Sequence, residues 1–128
     1  MFSRTRVSRL PLLGLLFAAA LTTMGCEKTS RDLALDEAKA RNACNEFLLA
    51  WQEGKKVEEL KPDIIGRDYA WDAGETLVSF EFLPNEKNDG TNLHIPVQLA
   101  LKDDKGKESR SKVVYVVGTS PVVTVIRE

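Results

Sequence analysis

The chain has 128 residues, room for one domain and not two. Hydrophobic residues are 43% and charged residues 29%, the composition of an ordinary soluble domain. Residues 1–25 hold Arg4, Arg6 and Arg9 and no acid, so the remainder sets 15 Lys and Arg against all 19 Asp and Glu, and that net charge of −4 argues against nucleic acid as a partner, which needs a clustered basic face.

The three arginines precede an apolar run, residues 10–24, interrupted only by Thr22 and Thr23. Gly25 and Cys26 close it. A basic start, a short apolar core and small residues at the end are the layout of a secretory signal. The run is about 15 residues, short of the roughly 20 that a spanning helix needs. Pro11 and Gly14 also suit a signal better than a span.

"LTTMGC", residues 21–26, resembles a bacterial lipobox, in which a small residue precedes a lipidated cysteine. Thr23 and Met24 stand where that pattern prefers other residues. The chemistry needs a thiol, because the lipid is carried as a thioether, and a small neighbour, so that a peptidase reaches the bond. The resemblance implies an exported lipoprotein that begins at Cys26, is acylated with palmitate-like chains, and faces the periplasm or the cell surface. More than one acyl chain makes such an anchor stable. Glu27, in place of Asp, leans toward the outer membrane by the same resemblance. A secreted form without lipid and an uncleaved anchor are the alternatives. The chain then divides into a signal (1–25), a lipidated cysteine with a short polar tether (26–32) and a domain (33–128).

Lipid on Cys26 leaves Cys44 without a disulfide partner. It sits on the apolar face of the next element and reads as a small core hydrophobe.

Residues 33–53 carry a helical pattern. Ala40, Cys44, Phe47, Leu48 and Trp51 recur at steps of three and four. Ser30 or Asp32 is the expected cap, and Gly54 the stop. A short second helix is expected at 57–61, ended by Pro62. Residues 62–75 read as irregular, with a short strand at 64–65.

The period then changes to two. In "TLVSFEFL" (76–83) the alternation sets Thr76, Val78, Phe80 and Phe82 against Leu77, Ser79, Glu81 and Leu83. "PNEKNDGTN" is a turn-rich loop. In "LHIPVQLALK" (93–102) Leu93, Ile95, Val97, Leu99 and Leu101 share one face; Pro96, which cannot donate to a ladder, marks an edge or a bulge. "DDKGK" is a hairpin turn. "SRSKVVYVVG" (109–118) and "PVVTVIRE" (121–128) complete four strands. Val114 and Val116 face away from Val113, Tyr115 and Val117, so both faces are apolar and a second contact is expected on the outer one. The expected fold is α+β: one N-terminal amphipathic helix packed on a curved four-stranded antiparallel sheet.

That layout, with "ACNEFLLAWQEGKKVEELKP" (43–62), resembles the cystatin-like and NTF2-like group. The single helix favours the cystatin-like roll, although the Gln-x-Val-x-Gly inhibitory loop of cystatins is absent. Enzymes of the NTF2-like group set an acid or base inside the cone, which makes Asp68, Tyr69, Trp71 and Asp72, with Glu75, the candidate loop site. The plainer reading has Tyr69 and Trp71 packing the loop onto the helix while the acids are solvated. His94, the only histidine, falls on a polar strand face without evident partners for a metal or a nucleophile. No spacing marks a catalytic residue, a metal set or a cofactor.

The function expected is non-enzymatic: a membrane-tethered module that binds an envelope protein or a small ligand. A small NTF2-like enzyme or binder, with its pocket between helix and sheet, is one alternative. A self-associating structural component, a homo-oligomer using the Pro96 strand or the final strand as an edge, is the other.

Overall fold

The computed structural model describes residues 34–128. The signal, Cys26, the tether and the Ser30 or Asp32 cap lie outside them. The principal helix, α1, is Glu37–Gln52, and Asp36 caps it by accepting the Lys39 amide. The helix thus starts later than the apolar pattern suggested, because Asp36 supplies both the cap and the extended backbone that a cap needs. Gly54, at φ +83°, turns the chain out of the helix.

A 3-10 turn at Val57–Leu60 occupies the place of the expected second helix. Strand β1 (Ile65–Arg67) follows, then a single helical turn, α2 (Tyr69–Asp72). The remaining strands are β2 (Thr76–Phe82), β3 (Lys87–Asn88), β4 (Asn92–Lys102), β5 (Glu108–Gly118) and β6 (Thr124–Arg127).

The fold is α+β, and the sheet corrects the four-stranded antiparallel expectation. Its order is β1-β6-β5-β4-β2, with β3 also on β4. It is mixed, since β1 runs parallel to β6. Neither the Pro96 strand nor the final strand is an edge: β4 lies between β5 and β2, and β6 between β5 and β1. Pro96 is tolerated because it falls opposite the gap between β2 and β3. There its carbonyl accepts the Leu83 amide and no donor is required of it.

The β2 alternation is also corrected. The register slips between Leu77 and Ser79, so Leu77 and Phe80 both reach the core side. Val78 is the bulged residue, and its carbonyl is met by the Gln52 amide nitrogen at 2.9 Å.

The helix stripe read from the sequence is buried throughout: Ala40, Cys44, Phe47, Leu48 and Trp51 pack against Leu93, Ile95, Val97, Leu99, Tyr115 and Val117. Each large side chain placed there contributes about 1.5–3 kcal/mol of hydrophobic stabilisation. Phe47 is the hub. Its ring meets Trp71 edge-on at 5.1 Å and Tyr115 at 5.8 Å. Trp51 stacks on Trp71 at 5.5 Å. Val114 and Val116 are half-buried on the outer face. In the ladder Val114 lies between Pro96 and Glu128, and Val116 between His94 and Ile126, so their surroundings are mixed and not the apolar face that the alternation suggested.

Candidate functional site

Asp68 begins the site. It is the residue between β1 and α2, with 1% of its surface exposed. As the cap of α2 it accepts the Ala70 amide at 2.8 Å and the Trp71 amide at 3.3 Å through Oδ1. Two groups from distant strands complete it. The Tyr115 hydroxyl of β5 donates to Oδ2 at 2.5 Å, and Arg127 Nη1 of β6 donates to Oδ1 at 3.2 Å. A buried carboxylate survives only with such a set of partners.

Each partner is shaped by the same burial. Desolvation, then the Asp68 charge, pushes the Tyr115 hydroxyl well above the usual phenol range, so it stays protonated and donates. Arg127 has a side chain 6% exposed, and its Nε is buried without a hydrogen-bond partner. The Tyr69 ring covers the guanidinium at 4.2 Å, a cation–π contact, while Tyr69 itself is 65% exposed.

The candidate loop site therefore divides. Asp68 and Tyr69 come together around Arg127. Trp71 turns the other way, into the aromatic cluster, with Nε1 donating to the Lys55 carbonyl at 3.0 Å. Asp72 is exposed and lines a separate groove with Arg67 and Lys61. Trp71 packs and Asp72 is solvated, whereas Asp68 is sealed and Tyr69 is open.

Tyr115 and Arg127 were missed by sequence reasoning. A signal existed for Tyr115: a tyrosine on the inward face of an apolar strand needs a partner for its hydroxyl. Arg127, inside the final strand, carried no such signal.

Beside the Arg127–Tyr69 pair lies an open groove of about 400 Å³, lined also by Ser111, Lys112 and Glu128. It sits where β6 stops and β5 continues. Near it on the outer face, His94 Nδ1 lies 3.9 Å from Glu128 Oε1, and His94 Nε2 lies 2.8 Å from Asp89 Oδ2. Asp89 also accepts the Thr91 and Asn92 amides, which holds its carboxyl down to about 2, with the Asn92 amide the largest cause. His94 thus stands between that turn and Glu128 at the groove.

Cys44 is free, fully buried, and its thiol is pushed up to about 12 by desolvation, as suits a core hydrophobe. Among the described residues, no cluster of His, Cys, Asp and Glu could hold a metal ion, and no helix is long and apolar enough to cross a membrane. No protein-family model matches the chain, and no curated protein or solved structure matches it.

Proposed function

We propose that the chain is a bacterial envelope lipoprotein, anchored through a lipidated Cys26, whose α+β domain acts by binding a partner. The carrying observation is the state of the other cysteine. Cys44 has 0% exposure, so a disulfide to Cys26 requires opening the core. The Cys26 thiol is then available to lipid, in agreement with the basic start, the apolar run and the Gly25-Cys26 junction.

Binding rather than catalysis is supported by how the ionisable groups are used. Asp68 is held by Tyr115 and Arg127 as a structural carboxylate, and the layer between helix and sheet is occupied by fully buried side chains. The helix across a curled sheet suits a cystatin-like roll with β1 and β3 added.

Expression of the full chain in a bacterium with labelled palmitate tests the anchor. Wild type and Cys44→Ala take up label and sediment with membranes; Cys26→Ala takes up none. Label on Cys26→Ala, or unlabelled soluble wild type, overturns the anchor. Crosslinking of the anchored protein in its own envelope tests the binding half. A reproducible adduct of one defined foreign mass supports it, and no adduct or self-adducts alone overturn it.

A further inference from the structure

Among the described residues, β1 ends the sheet on one side. In a parallel pair, residues that bond to the neighbouring strand alternate with residues whose N–H and C=O turn the other way. The Ile65 amide donates to the Val123 carbonyl at 2.9 Å, so Ile65 and Arg67 bond toward β6. Gly66, between them, turns both its N–H and its C=O to the free side of β1. Neither has a hydrogen-bond partner among the described residues. One residue of open backbone is too little to seat an added strand. The Val57–Leu60 turn and α2 lie on either side in the chain, and the opening that Gly66 lines is a groove of about 460 Å³. That is the size of a small-molecule site.

Four charged side chains line the same groove: Lys61 and Arg67, and Glu58 and Asp72. All four are exposed, and none is ion-paired within 4 Å among the described residues. Val57, Ile65 and Ile126 supply the apolar part of the lining, and Ile65 and Ile126 are themselves exposed. Two charges of each sign that do not neutralise one another leave the groove complementary to a ligand that carries both signs. A simple anion meets Glu58 and Asp72, and a simple cation meets Lys61 and Arg67, so each is disfavoured by like charge.

We propose that this groove binds a free α-amino acid with an apolar side chain. Such a molecule carries one residue's donor and acceptor at the spacing of a β-paired residue. Its ammonium donates to the Gly66 carbonyl and its carboxylate accepts the Gly66 N–H, the two-bond exchange of a hydrogen-bonded antiparallel pair. Glu58 and Asp72 reinforce the ammonium, and Arg67 and Lys61 the carboxylate, by charge-assisted contacts. The side chain covers Ile65 and Ile126. The site uses neither Asp68 nor Arg127. It goes beyond the partner-binding reading, and neither that reading nor the anchor at Cys26 depends on it.

Equilibrium dialysis of the full chain in detergent against radiolabelled L-leucine tests the site, with protein-free micelles as the blank. The protein takes up leucine saturably, one molecule per chain. 4-Methylpentanoate lacks the ammonium and 3-methylbutylamine lacks the carboxylate. Each competes about tenfold or more weakly than leucine, the order of one lost charge-assisted hydrogen bond. Arg67→Gln with Lys61→Gln weakens leucine binding by a similar factor, and so does Glu58→Gln with Asp72→Asn. All four positions are exposed, so both variants keep the wild-type melting temperature. The single changes Arg67→Gln and Glu58→Gln replace either pair if it melts early. No saturable uptake at millimolar leucine overturns the proposal. Competition by the acid or the amine as strong as that of leucine overturns it, and so does leucine binding that both variants leave intact. Absent leucine uptake beside a reproducible crosslinked partner overturns this site alone, and leucine uptake without a crosslinked partner overturns the partner reading alone.

Discussion

The Tyr115 hydroxyl and the Asp68 carboxylate, 47 positions apart in the chain, meet in a 2.5 Å hydrogen bond beneath the start of α2. This contact fixes the β1–α2 connection over the middle of β5. Tyr115→Phe removes the donor and leaves Asp68 Oδ2 buried without one. The expected cost is about 1–3 kcal/mol, the penalty of an unsatisfied buried acceptor, read as a lower urea midpoint at an unchanged slope. A change under about 0.5 kcal/mol, typical of an exposed substitution, contradicts the assignment.

Asp68 and Arg127 form a buried ion pair, so their mutations should be strongly non-additive. Arg127→Met leaves a buried carboxylate without its cation and costs about 3–5 kcal/mol. Asp68→Asn keeps a cap for α2 but leaves the guanidinium unpaired. The double variant Asp68→Asn with Arg127→Met removes both charges. It should be more stable than the sum of the single effects predicts, by about 1 kcal/mol or more. Simple additivity in a double-mutant cycle shows that the two charges do not act as a pair.

Gly66 lies against the hub of the core. A Cβ there would sit 2.2 Å from Phe47 Cε2, and Phe47 cannot yield readily because Trp71 and Tyr115 hold its ring. Gly66→Ala is expected to cost about 1–3 kcal/mol through overpacking. Gly66→Ala with Phe47→Leu makes room and should recover part of the loss attributable to the clash. Thermal melts of the two variants beside Phe47→Leu alone settle the point.

Asp89 gives a pH signature. Its folded carboxyl is held down to about 2 from an ordinary value of 3.8, by the Asn92 amide first and then His94 and Thr91. A depressed carboxyl contributes stability above its unfolded value and loses it as pH falls through the folded one, here between about pH 4 and pH 2. Wild type should therefore lose stability more steeply across that window than Asp89→Asn. Parallel acid limbs for the two proteins would show that the turn does not depend on the carboxylate charge.

The helix and the central hairpin were legible because their signals are local. The stripe from Ala40 to Trp51 and the alternation from Leu93 to Leu101 are both buried as the periodicity required. The phase of β2 was not legible, because the bulge at Val78 reverses the alternation and leaves no mark in residue type. Strand β1 has three residues and a central glycine, too few for a period, and its parallel pairing with β6 joins segments almost 60 residues apart. Of the site, Asp68 and Tyr69 stand in the local cluster of polar and aromatic residues to which the NTF2-like resemblance points. Their meeting with Arg127 depends on that same distant pairing.

The central claim is that Cys26 is the first residue of the mature protein and carries its lipid. The most direct measurement is mass spectrometry of the N-terminal proteolytic fragment of the protein extracted from membranes of a bacterial host. The account predicts a fragment that begins at Cys26 and is heavier than its peptide mass by a lipid increment, with Cys44 recovered as an unmodified thiol. A fragment that retains residues 1–25, or one that begins elsewhere without lipid, contradicts it.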